Sequence, residues 1–263
     1  MIIDGRAIAQ EVLARTKARA EKLPHPPRVV AYVAQGPTPA TRSYLNIKKR
    51  SAEAAGCIFE ETSDRATLAD ADAALVQLPV SSEDGAMFDT LPIGKDADVL
   101  SAGARAKFAR GDADALLPPV VGAIEEIFKT YDVDPRGKTA AVIGNGFLVG
   151  APVATWLRQQ GAGVSVWTVE DDEEEKAAAL RTADLIVSGA GAPHLITSDL
   201  IQDDVVLIDA GTSELGGEVV GDADPSCAEV CSLFTPVPGG VGPLAVAKLF
   251  ENAVTLAERA IHT

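Results

Sequence analysis

The sequence predicts an α/β protein of two α/β domains, the second a doubly wound, Rossmann-type parallel sheet. Three observations carry that expectation. Short apolar runs alternate with amphipathic stretches of helical length. A glycine-rich turn stands directly after one such run, and 47% of the 263 residues are hydrophobic, ample for a real core.

Taken in order, residues 5–22 place Ile8, Val12 and Leu13 on one helical stripe, and Pro24, Pro26 and Pro27 end it. RVVAYVA at 28–34 reads as a buried strand. A second helix is expected from about 40 to 55, closed by Gly56, with short strands near 57–62 and 73–78 behind it. The stretch 82–115 is rich in Asp, Ala and Gly and offers only helical fragments. TAAVI at 139–143 is a compact strand, followed by a helix from about 151 to 160 with Pro152 in its tolerated first turn. Strands at 163–168, 184–188 and 205–209 then alternate with helices near 173–181 and 197–202, and a last helix covers about 243–261. A boundary near 118–122 (PPVVG) separates a first domain of 1–120 from a second of 121–242. The terminal helix, 243–263, packs back on the first.

Composition excludes several classes. Thirty-eight acidic against 23 basic residues leave a net charge of −15, which argues against a nucleic-acid groove. Mean hydropathy is +0.13, yet no run approaches the ~18 uncharged apolar residues of a membrane helix. MIIDGRAIAQEV lacks the basic start and cleavage site of a signal peptide, so a cytoplasmic protein is expected. Cys57, Cys227 and Cys231 are odd in number and show no C-x-x-C spacing, so they read as buried or idle thiols. His25, His194 and His262 are far apart, and no metal site is expected. Chemistry here falls to Lys, Tyr, Asp, Gln or an organic cofactor.

Gly144-x-Gly146-x-x-x-Gly150 follows a strand and opens a helix, the context in which glycine lets backbone amides approach a pyrophosphate. Its spacing is one residue longer than G-x-G-x-x-G; a bare strand-to-helix turn is the alternative. A second glycine turn, 188–191 (SGAG), follows another strand on the same edge, which favours a nucleotide. Glu170, 26 residues after Gly144, suits a ribose 2′-hydroxyl, whereas a 2′-phosphate would meet Glu170, Asp171 and Asp172. NAD is favoured over NADP on that ground, with Arg158 and Arg181 as the basic residues that could offset it. The run Glu170–Glu175 otherwise reads as a solvated helix start, where carboxylates suit the dipole.

Tyr44 and Lys48 stand at i, i+4 on the second helix and project from one face. A lysine in a half-buried cleft loses its proton more easily and becomes a usable acid or base, although such a pair is usually surface decoration. Y-x-x-x-K with a glycine turn also suggests a short-chain dehydrogenase, but there the turn precedes the pair. Here the pair comes first, by about a hundred residues.

That order resembles another family over nearly the whole chain. The matching pieces are 39–48 (PATRSYLNIK), 76–79 (VQLP), 95–98 (KDAD), 137–144 from GK to VIG, 149–152 (VGAP), 183–188 (ADLIVS), 207–211 (LIDAG) and 235–243 (TPVPGGVGP). In that sequence they resemble the bifunctional methylenetetrahydrofolate dehydrogenase/methenyltetrahydrofolate cyclohydrolases, the FolD family. The resemblance implies oxidation of 5,10-methylene- to 5,10-methenyltetrahydrofolate with NAD or NADP (NADP being the family default), then hydrolysis to 10-formyltetrahydrofolate. It implies Lys48 as the catalytic lysine, Tyr44 packing on the folate, Gln77 holding the lysine and Asp98 anchoring the pterin. Val76 and Leu78 flank Gln77 as substrate-binding positions, and Pro238, Gly239, Gly240 and Val241 match the loop that closes over the folate. Gly144, Asn145, Gly146, Gly150, Glu170 and Thr212 are the cofactor positions. A homodimer is implied as well.

Several departures from the family matter, while the folate triad is kept and the cofactor turn has drifted. Gly144-Asn145-Gly146 stands where the family has Gly-Arg-Ser, which removes the natural partner of a 2′-phosphate. Leu117-Pro-Pro-Val120 replaces Pro-Cys-Thr-Pro, Pro243-Leu-Ala replaces Pro-Met-Thr, and the stretch from Gly56 to Gln77 is shorter by about one helix. Two alternatives therefore accompany the main expectation: a cyclohydrolase with weakened dehydrogenase activity, and a non-catalytic folate- or nucleotide-binding protein. Retention of Lys48, Gln77 and Asp98 argues against the last.

Overall fold

Two parallel sheets organise the chain, each in its own body. A computed structural model describes residues 1–34, 36–80, 88 and 91–261. Part of the stretch expected to hold helical fragments, 82–87 and 89–90, lies outside the described residues.

One body comprises residues 9–119 and 246–263. It holds most of α1 (Gly5–Ala20), then β1 (Arg28–Tyr32), α2 (Pro39–Ala54), β2 (Ile58–Thr62), β3 (Ala73–Val76) and α3 (Ala102–Arg110). Its sheet has the order β2-β1-β3, all parallel. Every residue of β3 and the last four of β1 are buried, because helices or loops cover both faces. Val29, Ala31 and Leu75 face a core with Leu45, Phe250 and Val254, while Val30, Tyr32, Ala74 and Val76 face another with Leu68 and Leu100. The period-2 alternation of the strands thus feeds two cores at once. Phe250, on α7 (Val241–Ile261), meets Phe59 edge to face at 6.2 Å, so the terminal helix does pack on this sheet. Asn252 adds a polar anchor, donating to Ala97 O and Leu117 O at 2.9 Å each.

The other body comprises residues 1–8 and 120–245. After α4 (Pro119–Thr130) come β4 (Thr139–Ile143), α5 (Gly150–Gln159), β5 (Gly163–Trp167), α6 (Glu173–Thr182), β6 (Leu185–Ser188), β7 (Val206–Asp209), a hairpin of β8 (Ser213–Leu215) with β9 (Glu218–Val220), and β10 (Leu233–Phe234). The parallel sheet runs β10-β7-β6-β4-β5. The chain turns outward both ways from β4, to β5 on one side and β6 on the other, so the topological switch point lies between β4 and β6.

Several elements differ from the expectation. The helix placed near 197–202 is a single 3-10 turn, Ser198–Leu200. PPVVG, where the boundary is expected, leads directly into α4, with Pro119 in the first turn where its missing N–H costs nothing; the two bodies divide between residues 119 and 120. Residues 1–8 sit with the second body, not the first. Phe234 N donates to Met1 O at 2.8 Å and Ile3 N to Phe234 O at 2.9 Å, so the first residues extend the sheet beyond β10. No helix among the described residues is long and apolar enough to cross a membrane.

Phe250 fills the first body's core with no exposure at all. Phe250→Ala is expected to cost ~3–5 kcal/mol, read as a lowered denaturant midpoint.

Candidate active site and dinucleotide cradle

The helix α2 explains how Lys48 comes to be half-buried. Thr38 caps it, accepting from Thr41 N at 3.1 Å, and Pro39 occupies its first turn. Leu45 and Ala52 define the face turned to the core, both with no exposure. Tyr44 and Lys48 stand on the flank of that face, one turn apart. Tyr44 is 47% exposed, so its ring is open to a ligand.

Lys48 and Asp98 are the pair that the structure brings together. Burial pushes the Lys48 ammonium below its ordinary value of 10.5, and the negative charge of Asp98 opposes that shift. Burial likewise raises the Asp98 carboxyl, opposed by Lys48 and reinforced by Asp96. The two groups are coupled through charge rather than by a hydrogen bond. Gln77 follows β3 and is buried; its Nε2 donates to Leu78 O at 2.7 Å, and its Oε1 is buried with no partner among the described residues. An orphaned buried acceptor of this kind is rare, and it suits a donor that arrives from outside. Val76 is buried in the core, and Leu78 is half-buried.

The segment that carries Asp98 is pinned on both sides. Lys95 Nζ donates to Ala69 O and, at 2.7 Å, to Ala71 O. Asp96, with no exposure, bridges to Ala74 of β3 and accepts Leu100 N at 3.1 Å and Ser101 N at 2.7 Å. Sequence reasoning assigned Asp96 no role. Its partners are backbone amides, which leave no residue signature.

In the other body, the turns after β4 and β6 meet at the switch point. Gly144, with φ +93°, donates its N–H to Trp167 O at 2.7 Å. A side chain there would come within 2.8 Å of Gly189 O, and one at Gly150 within 1.9 Å of Gly144 O. Glycine is therefore required by backbone-to-backbone approach at both positions. Above Gly146 the space is open, and α5 begins at Val149 without a side-chain cap. An uncapped helix start beside an open glycine turn fits a pyrophosphate. Asn145 is exposed on this turn, and Thr212 is exposed just beyond β7.

Two buried acids lock the neighbouring loops. Asp222 accepts Ser188 Oγ at 2.6 Å, Ala190 N at 2.7 Å and Ala192 N at 2.8 Å, fixing the second glycine turn. Asp209 accepts Gly211 N at 2.9 Å and Ala223 N at 2.8 Å. Each carboxylate occupies the space a side chain would need on a glycine beside the other: Asp222 at Gly211, Asp209 at Gly221. Neither acid was singled out from sequence; the usable signal was an Asp at a strand end near a glycine.

Glu170 lies in the turn after β5, next to the Gly144 strand, and is exposed. Of its acidic neighbours, Asp171 accepts Thr168 N and Oγ1 at 2.6 and 2.8 Å, and Asp172 caps α6. Arg158 donates to Val164 O, and Arg181 lies near Asp199. Pro238 to Val241 form a tight loop, with Gly239 at φ +116° and Gly240 N donating to Pro236 O at 2.8 Å. That loop belongs to the same body as the cradle, whereas Tyr44, Lys48, Gln77 and Asp98 all belong to the other. No group of three or more metal-ligating side chains occurs among the described residues.

Burial pushes Asp209 from 3.8 up to about 6, against its backbone hydrogen bonds and with help from Asp222. Folding therefore favours the protonated acid. Its contribution to stability is complete below the unfolded value and is lost as pH rises through about 6, an effect of about 3 kcal/mol. Asp209→Asn is thus expected to cost less stability at about pH 7 than at about pH 4.5, measured by denaturant unfolding at both.

Residues 118–261 match the family model described as the tetrahydrofolate dehydrogenase/cyclohydrolase NAD(P)-binding domain. A bifunctional protein FolD of Aquifex aeolicus is 30% identical over 97% of this chain and 94% of its own. The crystal structure of the bifunctional FolD enzyme from Campylobacter jejuni superposes with a TM-score of 0.92 at 28% identity, covering 99% of both chains. A FolD from Trypanosoma brucei, solved with NADP and an inhibitor, gives 0.88 at 26% identity over 100% of this chain and 99% of its own. On the match of its second half and a relative spanning nearly its whole length, the chain belongs to the FolD family of bifunctional methylenetetrahydrofolate dehydrogenase/cyclohydrolases.

Proposed function

We propose that this enzyme oxidises 5,10-methylenetetrahydrofolate with NAD and hydrolyses the methenyl product to 10-formyltetrahydrofolate, with Lys48 moving the protons of the second step. The observation that carries the reading is the charge coupling of half-buried Lys48 to Asp98 beside an α2 face that also presents Tyr44. A lysine whose ammonium is destabilised by burial shares a proton with water nearer neutrality than a free one. Asp98 has the chemistry for the donor edge of an aminopyrimidine, and the orphaned Gln77 Oε1 for an ammonium or amide donor. When bound, the nicotinamide cofactor accepts the hydride. The protein's part in that step is positioning, by the Gly144–Gly150 turn and the uncapped start of α5.

NAD rather than NADP is supported by what surrounds the strand end. Glu170 is exposed and makes no side-chain hydrogen bond among the described residues, Asn145 offers no positive charge, Arg158 donates to Val164 O, and Arg181 lies near enough to Asp199 to lower its carboxyl. Assembly as a homodimer belongs to the same proposal, on the family resemblance, and sedimentation measures it directly.

Lys48→Ala is expected to lower cyclohydrolase kcat by at least about 100-fold while folate binding persists in equilibrium titration. Retained hydrolysis in that variant would remove Lys48 from the chemistry. Oxidation followed with both dinucleotides in parallel is expected to favour NAD by about tenfold or more in kcat/KM. Glu170→Gln should narrow that ratio by admitting the 2′-phosphate, and a strong NADP preference in the wild type would refute the role given to Glu170 and Asn145.

A further inference from the structure

The turn that carries Asp98 contains a backbone conformation its own residue disfavours. Val99, immediately after Asp98, has φ +57°, in the left-handed region. A β-branched side chain there is an outlier that persists only where surrounding contacts over-determine it. Here the surrounding contacts are those of Asp96. Its fully buried carboxylate accepts both amides that follow Val99, Leu100 N on Oδ1 and Ser101 N on Oδ2. Ser101 in turn caps α3, accepting Ala104 N at 3.2 Å, so the far side of the turn is tied to a helix. On the near side Ala97 is held twice: its N–H donates to Ala74 O, and its carbonyl accepts from Asn252. Between these anchors only Asp98 and Val99 remain to be set.

We propose that Asp96 is a positioning residue for the folate site: its carboxylate closes the 96–101 turn, holds Val99 left-handed and thereby aims Asp98 toward Lys48. The proposal rests on the reading of Asp98 as the group that anchors the folate ring. Asp96 touches no substrate. Two amides directed at one buried carboxylate fix where the turn's backbone passes, and the strain at Val99 is what a turn shaped for Asp98 rather than for its own sequence would show.

The test measures KM and kcat for methenyltetrahydrofolate hydrolysis, and KM for the dinucleotide, in Asp98→Ala, Asp96→Asn, Val99→Gly and the double variant D96N/V99G. Folded fraction is checked by circular dichroism. Asp96→Asn leaves an amide facing one of the two N–H donors, so the turn relaxes; KM for the folate is expected to rise about tenfold with the dinucleotide KM within about twofold of wild type. Glycine takes φ +57° without strain, so V99G alone should stay within about twofold of wild type, and D96N/V99G should recover the folate KM to within about threefold. A purely structural role would lower stability and leave the folate KM of the folded enzyme unchanged, which overturns the proposal. So does a raised KM that glycine at 99 does not rescue. Should D96N not fold, the double variant decides: folded with near-wild-type KM supports the proposal, folded with the KM of Asp98→Ala overturns it. Failure of both to fold also overturns it, because Asp96 would then hold the segment together rather than aim one side chain. If Asp98→Ala itself leaves the folate KM unchanged, the underlying reading of Asp98 fails instead.

Discussion

Buried carboxylates that accept backbone amides hold the loops on which both candidate sites depend. Asp96, Asp209 and Asp222 are each at most 1% exposed, and together they accept six backbone N–H groups and one hydroxyl. An ionised carboxylate out of water is costly unless every lone pair is answered. Backbone amides offset part of that cost, since they are fixed by the chain and bring no counter-charge that would move with pH, although at Asp209 burial still outweighs them. The consequence is positional: a loop whose amides converge on one buried anion has few other conformations open to it. In a parallel sheet the loops at the carboxyl ends of the strands are where ligands are met, and all three acids lie in or against such loops.

The two bodies use the device for different ends. At the switch point, Asp222 holds the turn after β6 while Gly144 lets the turn after β4 press backbone against it. The result is a surface of glycine and amide, suited to phosphate. In the other body Asp96 holds the turn that carries Asp98, a candidate site residue coupled through charge to Lys48 on α2. There burial shifts both groups toward neutrality and each charge partly restores the other. Asp96 itself adds to this, because its negative charge makes a second one at Asp98 harder to keep. On the proposal above, one acid both aims its neighbour and adds to the shift that burial begins.

Legibility in the sequence followed the length of the physical signal. Strands such as 139–143 and the glycines at 144 and 161 could be read directly, because apolar runs and left-handed turns constrain residue type locally. The strand β10 has two residues, Leu233 and Phe234, too few for any period, and its partners are Val206 and Leu207 far upstream. The helix α4 had no expectation of its own, because the prolines at 118 and 119 mark a boundary more strongly than a helix; Pro119 occupies a helical first turn, and Val121, Ile124 and Ile127 are buried behind it. Tyr44, Lys48 and Asp98 were legible through motif order. Asp96 and Asp222 were not, since what they bind is common to every residue.

The excess of acid narrows in meaning once its members are placed. From sequence, Glu170, Asp171 and Asp172 formed one repulsive cluster against a 2′-phosphate. In the structure Asp171 is engaged by Thr168 and Asp172 by the first amides of α6, so both are already answered by donors. Each is held in place through one carboxylate oxygen, Asp171 by Oδ2 and Asp172 by Oδ1, so neither side chain can turn freely toward a ribose hydroxyl. Glu170 is the one of the three whose carboxylate has no hydrogen-bond partner among the described residues, while its own N–H is fixed by Thr168 Oγ1 at 3.2 Å. Under the proposed preference for NAD, selection between the two dinucleotides reduces from a general acidity to a single side chain on a held backbone, beside the strand whose next step is Gly144.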